Sequence, residues 1–293
     1  MIHIQTDELS VEIEEHGAQM RSLLDRRRGM ERLWPGDPAV WASSSPVVFP
    51  VIGKLNGLEY CLDGRAYSMK SNGLIRYADP VEVRRGDTWA ELTFRDDAET
   101  RERFPFSWTF AIRYELSGAK LGVTATISNE GGMPLWYNYA GHPGFRVPLR
   151  DGESCDDYYV EFSAPERASV YGVCATGQLT GELTPFFENE RRFFIRKELF
   201  CTEALAFHAP ASEYVSIKSL VDDSEVRVRI KGFDNVAVWS PHIEGRDLAF
   251  VCIEPWVGHS DFKGFEGEFP QRDGIAMLAA HESVQHSYDI EVK

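Results

Sequence analysis

Two short stretches carry the residue types that general acid–base chemistry needs. In "FVCIEPWVGHSD" (Phe250–Asp261) an apolar run of four ends on Glu254, with Pro255 and Trp256 directly after it. In "YNYAGHPGF" (Tyr137–Phe145) His142 stands between Gly141 and Pro143. A carboxylate desolvated beside an indole has a raised pKa, and an imidazole titrates near neutrality. Such a pair at strand ends, beside aromatic rings, suits proton exchange with a small molecule held in a cleft. Each residue also has a plainer reading. A glutamate at a strand end is commonly an exposed turn residue, and a histidine in a Gly-Pro turn is commonly a surface group or an internally satisfied one. His259 and Asp261 read as a solvated turn.

Other chemistries lack their motifs. There is no G-x-x-x-x-G-K-[ST], no G-x-G-x-x-G between a strand and a helix, and no G-x-S-x-G, which disfavours nucleotide folds and the simplest serine hydrolases. The histidines of "HESVQH" (His281–His286) are five positions apart in a segment that alternates like a strand, whereas a zinc helix needs four. No metal and no cofactor is expected. The formal charge of −15 argues against a nucleic-acid partner, which needs a basic face. No run of about 18 apolar residues offers a membrane-spanning helix. The start "MIHIQTDELSVEIEEHG" has neither the basic residues nor the apolar stretch of a signal peptide. The cysteines number five, an odd count with no C-x-x-C, and read as reduced thiols buried as small hydrophobes. A cytoplasmic protein with a small-molecule partner is expected; oligomeric state is not legible.

The elements that must position these residues are strands. "FSWTFAIRYEL" puts Phe106, Trp108, Phe110, Ile112, Tyr114 and Leu116 on one face. Leu121, Val123, Ala125 and Ile127 repeat the pattern, as do Leu9, Val11 and Ile13, and "SYDIEV" near the end. This period of two belongs to half-buried strands. Turn signals separate the runs, at Asp63-Gly64, Ser117-Gly118, Asn129–Gly132 and Asp273-Gly274. Helical signal is scarce, with one short helix expected within Arg196–Phe207. Length alone suggests about two domains, but all-β domains of this size are common. The expectation is one large all-β domain over Met1–Lys293, a sandwich of many antiparallel strands with few short helices.

Taken together, four stretches resemble the aldose 1-epimerase (galactose mutarotase-like) family, and specifically its LacX-like branch. They are "LWPGDPAVWASSSPVVFPVIGKL" (Leu33–Leu55), "SNGLIR" (Ser71–Arg76), "FPFSWTFAIRYELSGAKLGVTATISNEGGMPLWYNYAGHPGF" (Phe104–Phe145) and "FVCIEPWVGHSD", in the family's order along nearly the whole chain. The resemblance implies a galactose mutarotase-like β-supersandwich and an isomerase that interconverts the α and β anomers of a sugar. It implies Glu254 as general base and His142 as general acid. It also implies that Lys54, Asn72 and Arg76 bind substrate, with Trp256, Trp41 or Trp136 packing on the sugar ring or, equally, in the core. Two positions depart from the family's usual residues. Lys54 stands for an arginine, and a lysine cannot make arginine's planar two-point contact. Asn72 stands for a histidine, and an amide cannot carry a proton through a cycle. A non-catalytic sugar-binding protein that kept the cleft is the alternative. Lys54 and Arg76 could face an anionic substituent, or Arg76 could pair with a nearby acid such as Asp79.

Overall fold

The alternating runs form the strands they predict. Trp108–Ser117 and Lys120–Asn129 pair antiparallel with Phe110 opposite Ile127 and Tyr114 opposite Val123. All of these apolar side chains are 1% exposed or less, while Arg113 and Glu115 face outward. The structure, a computed structural model, describes every residue except Ala175 and Glu203. Among the described residues the two strands lie within a nine-stranded antiparallel sheet that also holds Ser283–Val292 and Tyr158–Glu166. A second, eight-stranded sheet packs against it and contains Asn235–Trp239, Phe250–Val257, Tyr139–Gly141 and Val47–Val48 in adjacent positions. A four-stranded sheet begins the chain with Ile2–Gln5 and Leu9–Ile13.

The turn chemistry fits its residues. Asp63 and Gly64 both have positive φ, 52° and 73°, as a two-residue hairpin turn between Glu59–Leu62 and Arg65–Ser68 requires. The α-helix Ala98–Arg103 is a single capped turn and a half, with Asp97 accepting from the Thr100 N–H at 2.7 Å. The helix expected within Arg196–Phe207 is realised only as a 3-10 turn, Lys197–Phe200, and Leu205–His208 is a strand; Glu203 of that stretch lies outside the described residues. The strand wins there because Leu205 and Phe207 pair with Val238 and Val236 and enter the core. No helix is long and apolar enough to cross a membrane.

Phe250–Val257 positions the site. It is buried along its whole length, flanked by strands on both sides. Its odd residues Val251, Ile253 and Val257 join the core between the sheets. Its even residues Phe250, Cys252, Glu254 and Trp256 face the other way, among Trp34, Trp41, Trp239 and Ala140.

Candidate functional site

On one side of Phe250–Val257 lies a ladder with a gap. Tyr139–Gly141 and Gly144–Arg146 both pair with it, Ala140 opposite Trp256 and Gly144 opposite Cys252. The register is the same on both sides of the gap, so His142 falls opposite Glu254. Two prolines make the gap. Ile253 N–H reaches the Pro143 carbonyl at 3.3 Å, so the odd N–H groups of the strand point this way, and Pro255 has none to give. Gly141 is required by the opposing sheet, since a Cβ there would lie 2.5 Å from the Tyr288 ring. The sequence A-G-H-P-G thus sets an imidazole beside a carboxylate as a cross-strand pair, the closest kind of side-chain neighbour a sheet offers.

The pair is dry. Glu254 is 4% exposed and accepts a hydrogen bond from Trp256 Nε1 at 3.1 Å. His142 leaves 11% of its side chain open and lies between Trp41 and Trp239, with ring centroids 5.2 and 5.6 Å away. His142 Nδ1 is 3.4 Å from Glu254 Oε1, without hydrogen-bond geometry, and has no hydrogen-bond partner among the described residues. Burial pushes the Glu254 carboxyl up to about 8, against the opposing effect of the Trp256 N–H. Burial, and then the positive charge of Arg76, push His142 down to about 3. Both groups therefore favour their uncharged forms. Cys252 adds a thiol, so that His142, Cys252 and Glu254 place donor atoms within 4.8 Å of one another. A divalent ion could use that set only by displacing the thiol proton, which burial holds well above its ordinary range.

These groups open on a cavity of about 360 Å³. All the site residues expected from sequence line it: Glu254, His142, Lys54, Asn72, Arg76 and Trp256. Trp41 lines it as well, whereas Trp136 packs on Phe106 against the core. Trp239, Thr176 and Ser260 also line it and were not anticipated. Trp239 had a faint signal, an aromatic ending the apolar run "VAVW"; the other two had none.

The segments carrying Lys54 and Asn72 are stitched together. Asn72 Oδ1 accepts from the Gly53 N–H at 2.7 Å, and the Asn72 N–H donates to the Gly53 carbonyl at 2.8 Å. Asn72 has φ 60°, a left-handed conformation that asparagine tolerates. Gly73 beside it permits an approach no side chain would allow, its ideal Cβ falling 2.1 Å from the Phe49 carbonyl oxygen. Arg76 donates to Ser43 Oγ at 3.0 Å and lies over the Tyr77 ring. Its expected alternative partner, Asp79, instead holds His16 at 2.9 Å.

The solvated turn expected at His259 and Asp261 is not what forms. The two residues are 3% and 5% exposed. Asp261 accepts from Arg272 Nε at 3.1 Å and from Asn56 Nδ2 at 2.9 Å, and His259 bridges the Ser260 carbonyl and Asp273. A carboxylate with a buried guanidinium as partner no longer needs water.

Comparison with known proteins agrees with this architecture. The chromosomal Protein LacX of Lactococcus lactis subsp. lactis is 26% identical over 301 aligned positions, covering 99% of both chains. The structure of a galactose mutarotase-like protein from Lactobacillus casei superposes with a TM-score of 0.94 at 26% identity, over 100% of both chains. That of a galactose mutarotase related enzyme from Lactobacillus acidophilus gives 0.93 at 25% identity, over 100% of this chain and 97% of that one. The fold is the galactose mutarotase-like β-supersandwich, and its relatives include LacX. With the aldose 1-epimerase family profile matching residues 1–288, the chain belongs to that family.

Proposed function

We propose that the protein is an aldose 1-epimerase, interconverting the α and β anomers of a hexose or related sugar by acid–base opening of the ring. The observation that carries this reading is the buried cross-strand pair of Glu254 and His142, opening on a cavity walled by Trp41, Trp239 and Trp256. Ring opening needs the O1 proton removed and the ring oxygen protonated. Together the two groups hold one proton. With both groups buried it rests on Glu254, the group pushed up to about 8.

A sugar changes that balance. A hydroxyl donating to Glu254 and a ring oxygen accepting from His142 both favour carboxylate and imidazolium. From that form Glu254 takes the O1 proton while the bond from C1 to the ring oxygen breaks, and His142 gives its proton to the ring oxygen. The open-chain aldehyde then faces an uncharged carboxyl and an uncharged imidazole, the forms that burial of the two groups favours. Rotation about C1–C2 presents the other face of the aldehyde, and closure reverses both transfers. Each proton transfer contributes about 10²–10⁴-fold.

One observation favours a second reading, a sugar-binding protein without turnover. Asn72, whose Oδ1 already accepts from the Gly53 N–H, is an amide and cannot carry a proton through a cycle. A single experiment separates the two. Freshly dissolved single anomers of several aldoses are followed by NMR exchange with and without protein. Exchange faster than the protein-free rate for at least one sugar supports the epimerase. Ligand-induced shifts with unchanged exchange across the panel would leave only binding.

A further inference from the structure

We infer that the sugar bound in this cavity carries an anionic substituent, a carboxylate, phosphate or sulfonate, held by Lys54 and Arg76. The inference rests on the reading of the cavity as a sugar site and specifies its substrate class.

Two cations and one carboxylate line the cavity, Lys54 and Arg76 against Glu254. Neither cation has a carboxylate partner among the described residues. Acids are not in short supply, because the chain holds 46 acidic residues against 31 basic ones. The acids within reach are engaged elsewhere. Asp79 holds His16, and Asp261, which accepts from the Asn56 N–H two residues beyond Lys54, is neutralised by Arg272. Arg76 is the more telling of the two. Burial lowers its pKa from the ordinary arginine value, yet its contacts are a hydroxyl and an aromatic face. A guanidinium withdrawn from water ordinarily has a counter-ion. Glu254 forms no ion pair with it; its oxygens meet Trp256 Nε1 and His142 Nδ1. Asn72 adds to the same wall an amide NH₂ with no partner among the described residues, its oxygen being tied to Gly53. The wall formed by Lys54, Asn72 and Arg76 thus presents positive charge and donors to whatever enters, which matches the oxygens of an anion.

The test compares each neutral sugar with its anionic counterparts: glucose and galactose against their 6-phosphates, their 6-uronates and 6-deoxy-6-sulfoglucose. Anomer exchange is measured by NMR at low and high salt, each rate corrected for the protein-free exchange of the same sugar. Binding of each sugar is measured in parallel by calorimetry. The expected result is a preference of at least about tenfold in kcat/KM for one anionic class. That preference should shrink in high salt, fall in Lys54→Met and Arg76→Gln, and survive in Lys54→Arg. The three anion classes separate carboxylate, phosphate and sulfonate as the substituent. Equal or better turnover of the neutral sugars, with the ratio unmoved by Lys54→Met, overturns the inference and leaves the epimerase reading standing. If no sugar is turned over, calorimetry decides. Anion-selective binding lost in Lys54→Met upholds the anionic site while the epimerase reading fails; unselective or absent binding overturns the inference.

Discussion

Replacing the Glu254 carboxylate by an amide keeps the side chain's shape and removes its capacity to take a proton. Glu254→Gln is expected to lower the exchange rate by about 10²–10⁴-fold with the far-UV spectrum unchanged; near-wild-type turnover on the best substrate would remove Glu254 from the mechanism. The same substitution has a stability signature. The folded pKa of Glu254 is raised from 4.5 to about 8, so the native state binds this proton more tightly, and its stabilisation is complete below 4.5 and lost as pH rises towards 8. His142 acts in the opposite sense, its folded value lowered from 6.5 to about 3, so its contribution grows as pH rises through that interval. Between 4.5 and 6.5 the two largely cancel. From 6.5 to 8 the wild type should lose up to about 2 kcal/mol, and Glu254→Gln should not, as melting temperature against pH will report. His142→Asn should lose turnover while sugar affinity stays within a few fold, since an amide still hydrogen-bonds a ring oxygen. Equal losses in rate and affinity would assign His142 a structural role. At this scale the sequence was informative where chemistry was local: Glu254 and His142 stand out by their neighbours. It misled where the partner was distant. Asp261 looked solvated because Arg272 and Asn56 are far from it in sequence, and Arg76 looked as though it could pair with Asp79, which instead meets His16.

The ladder gap is the element on which the site depends. Its shape comes from Pro143, Pro255 and the close approach of Tyr288 to Gly141. Gly141→Ala is expected to cost about 1–3 kcal/mol by overpacking, and to reduce turnover by displacing His142. Tyr288→Leu removes the ring that the new methyl would strike. The double variant should therefore cost less than the two single changes added together, as urea unfolding will show; strict additivity would mean that the two side chains do not meet. Strands were the most legible elements, because a period of two records burial directly in Trp108–Leu116 and Leu121–Ile127. The pairing of Tyr139–Arg146 with Phe250–Val257 was not legible. More than a hundred residues separate them, and register depends on partners that no local pattern names.

Across the whole molecule, the N-terminal sheet holds a buried ion pair whose arginine reaches the end of the C-terminal strand. Asp25 and Arg32 are fully buried and 3.0 Å apart, and Arg32 also donates to the Lys293 carbonyl at 3.2 Å. Burial raises the Asp25 pKa, but hydrogen bonds from Arg27 and Arg32 outweigh it and hold the group below 3.8. That stabilisation is present above 3.8 and lost as pH falls through the lower folded value. Asp25→Asn leaves Arg32 without its charge partner and should cost about 3–5 kcal/mol in urea unfolding at neutral pH; a loss below about 1 kcal/mol would mean that the pair contributes little. The arrangement around the cavity has a different kind of consequence. Glu254 stands on a paired strand of a core sheet and His142 in the gap of its neighbour, whereas Lys54, Asn72 and Arg76 stand on connecting segments, two of them joined through Gly53 and Asn72. Loops accept substitution more readily than buried strands. Descendants of one ancestor could therefore exchange one sugar for another by rewriting those segments, inheriting the proton chemistry untouched.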